Sequence, residues 1–211
     1  MERVRIKICG ITSVHDALAA AAAGADAVGL VFCDSSPRRV TLDLGAAICR
    51  SLPPFVVRVA LFVDPAPEFV MTVQRQVVPD CLQFHGQEAA EFCESFARPY
   101  IKAVRMRTDR DAVVADSQHP RAAALLLDSY SQGLPGGTGR RFDWSLVPDG
   151  LGKPVILAGG LDAGNVADAI AAVRPFAVDV SGGVESVKGR KDPAKIKAFV
   201  DAVWGERGSG K

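Results

Sequence analysis

Histidine, tyrosine and tryptophan are scarce in these 211 residues, numbering three, two and two. No histidines repeat at metal-ligand spacing, which argues against a zinc site. The five cysteines, Cys9, Cys33, Cys49, Cys81 and Cys93, are odd in number and form no C-x-x-C pair. They fit no disulfide framework and point instead to thiols kept reduced in the cytosol. An excess of either charge is also missing: 25 Lys and Arg stand against 24 Asp and Glu, a net charge of +1. That balance offers no electrostatic case for nucleic acid or an anionic membrane as partner. No apolar run reaches the length of a membrane span, and the opening MERVRIKICG lacks a signal-peptide layout. A cytoplasmic domain with a sizeable core is the expectation.

The chain does have an alternation of two segment types. Short runs rich in Val, Ile, Leu and Phe begin near residues 4, 27, 56, 81, 100, 123, 154 and 177. Most are apolar throughout rather than alternating, as in parallel strands covered on both faces. Between them lie helix signals. Ser13 and Asp16 open the Ala-rich stretch that ends at Gly24, and Thr41 opens 42–51 before Pro53-Pro54. Further helices are predicted over 67–77, 87–96, 107–117, 143–147, 166–174 and 193–204. Eight such units in about 200 residues fit a compact α/β fold, a single-domain (β/α)8 TIM barrel. A doubly wound open sheet shares the alternation, but no dinucleotide fingerprint follows the first strand. The barrel is assigned to residues 1–205, with 206–211 as a flexible tail and Lys188–Lys191 as a solvated loop.

Chemistry in such a barrel collects at the C-terminal strand ends. Those ends carry Cys9, Asp64, His85, Arg105, Asp128-Ser129, Gly159-Gly160, and Asp179 with Ser181-Gly182-Gly183. The glycine pairs after strands 7 and 8 suit phosphate held by backbone N–H groups, or else simply tight turns. Asp128 ends a fully apolar run, so its carboxylate needs a partner or a task. Cys9 reads as a functional thiol or a buried apolar residue. His85 reads as catalytic or capping, and Asp179 as a substrate contact or a structural acceptor. Arg38 and Arg39, after strand 2, could neutralise an anionic substrate or be solvated, and Arg105 has the same alternatives. The other four cysteines read as packing.

These residues resemble a known family in order along essentially the whole chain. Lys7-Ile8-Cys9-Gly10-Ile11-Thr12, Gly29-Leu30-Val31-Phe32, Ser36-Pro37-Arg38, Gln83-Phe84-His85-Gly86, Leu126-Leu127-Asp128-Ser129, Gly136-Gly137-Thr138-Gly139, Ala158-Gly159-Gly160 and Asp179-Val180-Ser181 with Gly183-Val184-Glu185 resemble phosphoribosylanthranilate isomerase, an enzyme of tryptophan biosynthesis.

The resemblance implies a (β/α)8 barrel that performs an Amadori rearrangement on a phosphosugar, as a monomer or homodimer, with no metal or other cofactor. It implies Cys9 as general base and Asp128 as general acid. It places phosphate at Gly159, Gly160, Ser181, Gly182 and Gly183, and the other substrate contacts at Arg38, His85 and Asp179, with Arg38 near the anthranilate carboxylate. Two departures stand out: Gly182 where the family commonly has a second serine, and Val187-Lys188 where Pro-Gly is frequent. Indole-glycerol-phosphate synthase shares the phosphate turns but relies on a lysine acid with a glutamate. A phosphate-ligand sensor would have no need for Cys9 and Asp128 together. A bifunctional relative that also takes the histidine-pathway substrate usually carries aspartates at both positions.

Overall fold

The computed structural model describes residues 3–129 and 143–205. Eight parallel strands close into a barrel, each hydrogen-bonded to the next: β1 (Arg5–Cys9), β2 (Ala27–Val31), β3 (Val57–Phe62), β4 (Cys81–Phe84), β5 (Tyr100–Met106), β6 (Ala124–Ser129), β7 (Val155–Leu157) and β8 (Ala177–Val180). β8 returns to β1 with Asp179 opposite Lys7. Around them run α1 (Val14–Ala23), α2 (Leu42–Ser51), α3 (Pro67–Gln76), α4 (Ala90–Glu94), α5 (Asp109–Gln118), α6 (Val166–Val173) and α7 (Pro193–Trp204). A closed barrel, not the open sheet, is therefore the architecture. None of the described helices is long and apolar enough to cross a membrane.

Alternate residues of each strand divide between two layers. Val59, Cys81, Ile101, Ala103, Leu126 and Ile156 pack together inside the barrel, with Cys9, Val31 and Leu61 as a separate cluster. Their neighbours, such as Ile8, Leu30, Phe62 and Leu125, pack outward against helix faces. Both faces are thus apolar, which is why the strands read as continuous runs.

The caps set several helix limits. The Ser13 side chain accepts from Asp16 N–H at 3.0 Å, and Gly24 ends α1 in the left-handed region at φ 103°. Thr108 and Asp111 form a capping box that starts α5 at Asp109. The 143–147 segment forms one short 3₁₀ turn, Trp144–Leu146.

Two expectations are corrected. The helix predicted from residue 87 begins at Ala90, because Glu88 turns inward. Its carboxylate accepts from the N–H groups of Asp64 and Gly86 and pairs with Lys102 Nζ at 2.7 Å. The Lys188–Lys191 run is exposed at Lys188 and Arg190, as expected, but not at Lys191. It belongs to a hairpin of β9 (Glu185–Val187) and β10 (Arg190–Lys191), and Lys191 is buried on Glu185. The expected tail and the glycine-rich 133–139 stretch lie outside the described residues.

Candidate active site

A cavity of about 460 Å³ opens at the C-terminal ends of the strands, a size that suits a small-molecule ligand. All ten residues to which the resemblance assigns a role line it: Cys9, Arg38, His85, Asp128, Gly159, Gly160, Asp179, Ser181, Gly182 and Gly183. Arg105 lines it too. Asp64 does not line this cavity and instead accepts from Gln87 N–H in a turn. Arg39 is exposed and pairs with Asp34. Cys33, expected to be packing, stands half-buried in the cavity wall.

Cys9 ends β1 and is 7% exposed. Burial pushes its thiol above the ordinary range, although the Lys7 and Lys191 ammonium groups pull it down. Asp128 stands on β6, one residue from its end. Its Oδ1 accepts from Ser129 N–H at 2.8 Å, and its Oδ2 lies 3.2 Å from His85 Nε2 without hydrogen-bond alignment. His85 Nδ1 in turn lies 3.3 Å from Gln83 Nε2, and Gln83 is fully buried. A carboxyl, an imidazole and an amide thus stand in a row along one wall.

The phosphate turns are built on backbone shape. Gly159 has φ +86°, and a Cβ there would stand 2.5 Å from Ser129 N, so the turn after β7 admits only glycine without rearrangement. Asn165, buried at the head of α6, holds that turn by donating to Gly160 O at 2.9 Å. At Gly182 a Cβ would find Arg38 Nη2 at 3.7 Å, ordinary contact, so a serine would fit.

Arg38 is fixed by a fork. Its Nε and Nη2 donate to Glu185 Oε1 and Oε2 at 2.7 and 2.8 Å. Lys191 Nζ donates to the same carboxylate at 2.9 Å and to Ser181 O at 3.1 Å, tying the arginine to the turn after β8. Burial raises the Glu185 carboxyl, but Arg38 and Lys191 outweigh it and hold the group below the usual carboxylate range.

The model of the N-(5'phosphoribosyl)anthranilate (PRA) isomerase family matches residues 6–202. The chain belongs to this family. It is 60% identical over 203 residues to the N-(5'-phosphoribosyl)anthranilate isomerase of Pseudomonas paraeruginosa, covering 96% of each chain. Among solved structures it is similar to the Thermotoga maritima isomerase, with a TM-score of 0.88, 42% identity and coverage of 96% and 99%. It is also similar to an isomerase in complex with reduced 1-(o-carboxyphenylamino)-1-deoxyribulose 5-phosphate, with a TM-score of 0.84, 41% identity and the same coverage.

For an isomerase of this family, the sequence reading missed four side chains that build the site: Lys7, Gln83, Glu185 and Lys191. Lys7 and Gln83 carried a signal, being polar residues spaced by two from Cys9 and His85 on otherwise apolar strands. Glu185 and Lys191 carried no pairing signal: Arg38, which anchors Glu185, lies 147 residues away in sequence, and Lys191 is buried on that same carboxylate.

Proposed function

We propose that Cys9 and Asp128 divide the proton transfers of this isomerase between them. The reaction converts N-(5-phosphoribosyl)anthranilate to 1-(o-carboxyphenylamino)-1-deoxyribulose 5-phosphate, a step of tryptophan biosynthesis. The observation that carries the assignment is a thiol on β1 and a carboxyl on β6 facing one cavity, beside two glycine turns. Opening the ribose ring needs a proton on the ring oxygen as its bond to C1 breaks. Asp128 gives that proton, with His85 Nε2 3.2 Å from the same carboxyl. The nitrogen lone pair forms the C1=N iminium, which acidifies the hydrogen on C2. The Cys9 thiolate removes that proton, leaving an enolamine. The ketose forms when C1 gains a proton and the C2 hydroxyl loses one, so no proton is consumed overall.

The anchors make this geometry repeatable. Backbone N–H groups at Gly159, Gly160, Gly182 and Gly183, with Ser181, hold the phosphate. Arg38 keeps one edge of its guanidinium for the anthranilate carboxylate, because Glu185 occupies the other. Asp179 stands between these anchors beside the sugar. Fixing both ends of the substrate sets the sugar between acid and base. Every side chain invoked comes from one chain, so a monomer or a homodimer would each carry complete sites. Five free thiols support a cytoplasmic location.

The test is the fluorescence decay of freshly made phosphoribosylanthranilate with and without the protein, with the product identified by mass. Protein-dependent formation of the isomeric ketose is expected. Release of anthranilate at the spontaneous rate, with no ketose, would contradict the reading.

A further inference from the structure

Lys7 lies two residues before Cys9 on β1 and shares its inward face, 3% exposed. Its Nζ is 2.8 Å from Asp179 Oδ1, across the strand pair that closes the barrel. The same ammonium and the Cys9 thiol border one space beside β2, and each favours the charged form of the other. Gly29, the register partner of Cys9 on β2, makes room for both. A Cβ on Gly29 would stand 2.8 Å from Cys9 Sγ and 3.1 Å from Lys7 Nζ. Thiol and ammonium therefore crowd into one small space that a larger residue would fill.

A buried ion pair is a poor source of stability, since desolvation of both charges offsets their attraction. The Lys7–Asp179 pair thus calls for another explanation, and the nearness of Cys9 supplies one. We propose that Lys7 is a positioning residue that supplies the positive charge against which Cys9 ionises, with Asp179 holding the ammonium in place.

The charged groups facing Cys9 are Lys7 from β1, Asp179 from β8, Lys191 from β10 and Arg38 from the loop after β2. β2 itself presents Gly29 and Val31, which carry no charge. Arg38 and Lys191 are both turned onto Glu185 and reach Cys9 only through space. Of the three cations, Lys7 is the one that shares with Cys9 the space beside Gly29. Burial tends to strip its proton, but Asp179 and Cys9 outweigh burial and keep it an ammonium. Asp179 acts on Cys9 in the opposite sense, because its negative charge disfavours the thiolate. The two partners of one ion pair should therefore shift Cys9 in opposite directions.

This inference deepens the reading of Cys9 as the base, and its test reads the thiol rather than turnover, so the two can fail separately. The rate of Cys9 alkylation by iodoacetamide is followed at fixed mildly alkaline pH, resolved from the other cysteines by peptide mass. Lys7→Met is expected to slow it at least about tenfold, the effect of losing one adjacent opposite charge. Lys7→Arg should restore most of the rate, and Asp179→Asn should raise it above that of the unaltered protein. Equal reactivity in the unaltered protein and Lys7→Met, whether high or low, would overturn the proposal. So would shifts of Lys7→Met and Asp179→Asn in the same direction. If Lys7→Met fails to fold with Asp179 left unpaired, the Lys7→Met/Asp179→Asn protein is compared with Asp179→Asn alone. The same tenfold slowing is then expected, and its absence is equally fatal.

Discussion

Cys9→Ala and Asp128→Asn should each lower turnover at least about a hundredfold, the low end for removing a general acid or base. The amide introduced by Asp128→Asn would keep the shape of the carboxyl and an oxygen for Ser129 N–H, now bonded at 2.8 Å, but would have no proton to give to the ring oxygen. The Cys9→Ala change removes one sulfur from a small cluster with Val31 and Leu61, a packing loss of about 1 kcal/mol. Both proteins should therefore melt close to the unaltered one, and substrate affinity should fall much less than turnover, because neither side chain belongs to the phosphate turns or the Arg38 fork. Single-turnover fluorescence with the substrate separates binding from chemistry. Near-normal turnover in either variant would remove the role assigned to that residue.

Glu185→Ala should have the largest effect on stability. The change leaves Arg38 and Lys191, with side chains 9% and 0% exposed, facing each other without the carboxylate between them. Breaking a buried charge network from one side costs about 3 kcal/mol or more. In a chain of this size that lowers Tm by roughly 6–12 °C. Glu185→Gln keeps the shape and one acceptor, so it should lose less. The sign with pH follows from the depressed carboxyl. Its contribution is complete above the usual carboxylate range and is lost as pH falls through its lowered folded-state value. The Tm gap between Glu185→Ala and the unaltered protein should thus be full at neutral pH and narrow in acid. The same variant should raise KM, because Arg38 is no longer held at the cavity wall.

The barrel was legible because parallel strands buried on both faces leave continuous apolar runs, and all eight runs became strands. The site was legible at strand ends, where Cys9, His85, Asp128 and the glycine pairs interrupt apolar sequence and converge on one cavity. What sequence could not give was pairing. Lys191 sits in a charged, glycine-containing run that looks solvated, yet it is buried because Glu185, Ser181 and the Asp16 carboxylate meet it there. Glu88 looked like the first turn of a helix, whereas Lys102 draws it inward and shortens α4. Both misreadings share one cause. A charge run reads as surface unless its counter-charge is known, and the counter-charges sit on other strands and loops.

The pH dependence of kcat/KM, compared between the unaltered protein and Cys9→Asp, bears most directly on the division of labour between Cys9 and Asp128. A base acts only when deprotonated, and burial holds the Cys9 thiol above its ordinary range. The acid is common to both proteins, so the ratio of the unaltered rate to that of Cys9→Asp isolates residue 9 and should climb with pH through neutrality, as the thiolate fraction grows. A carboxyl titrates well below a thiol, so Cys9→Asp carries its base already ionised over that interval and adds no climb of its own. A ratio that does not change with pH would mean that the titrating base is not residue 9, and the division of proton transfers between Cys9 and Asp128 would fail.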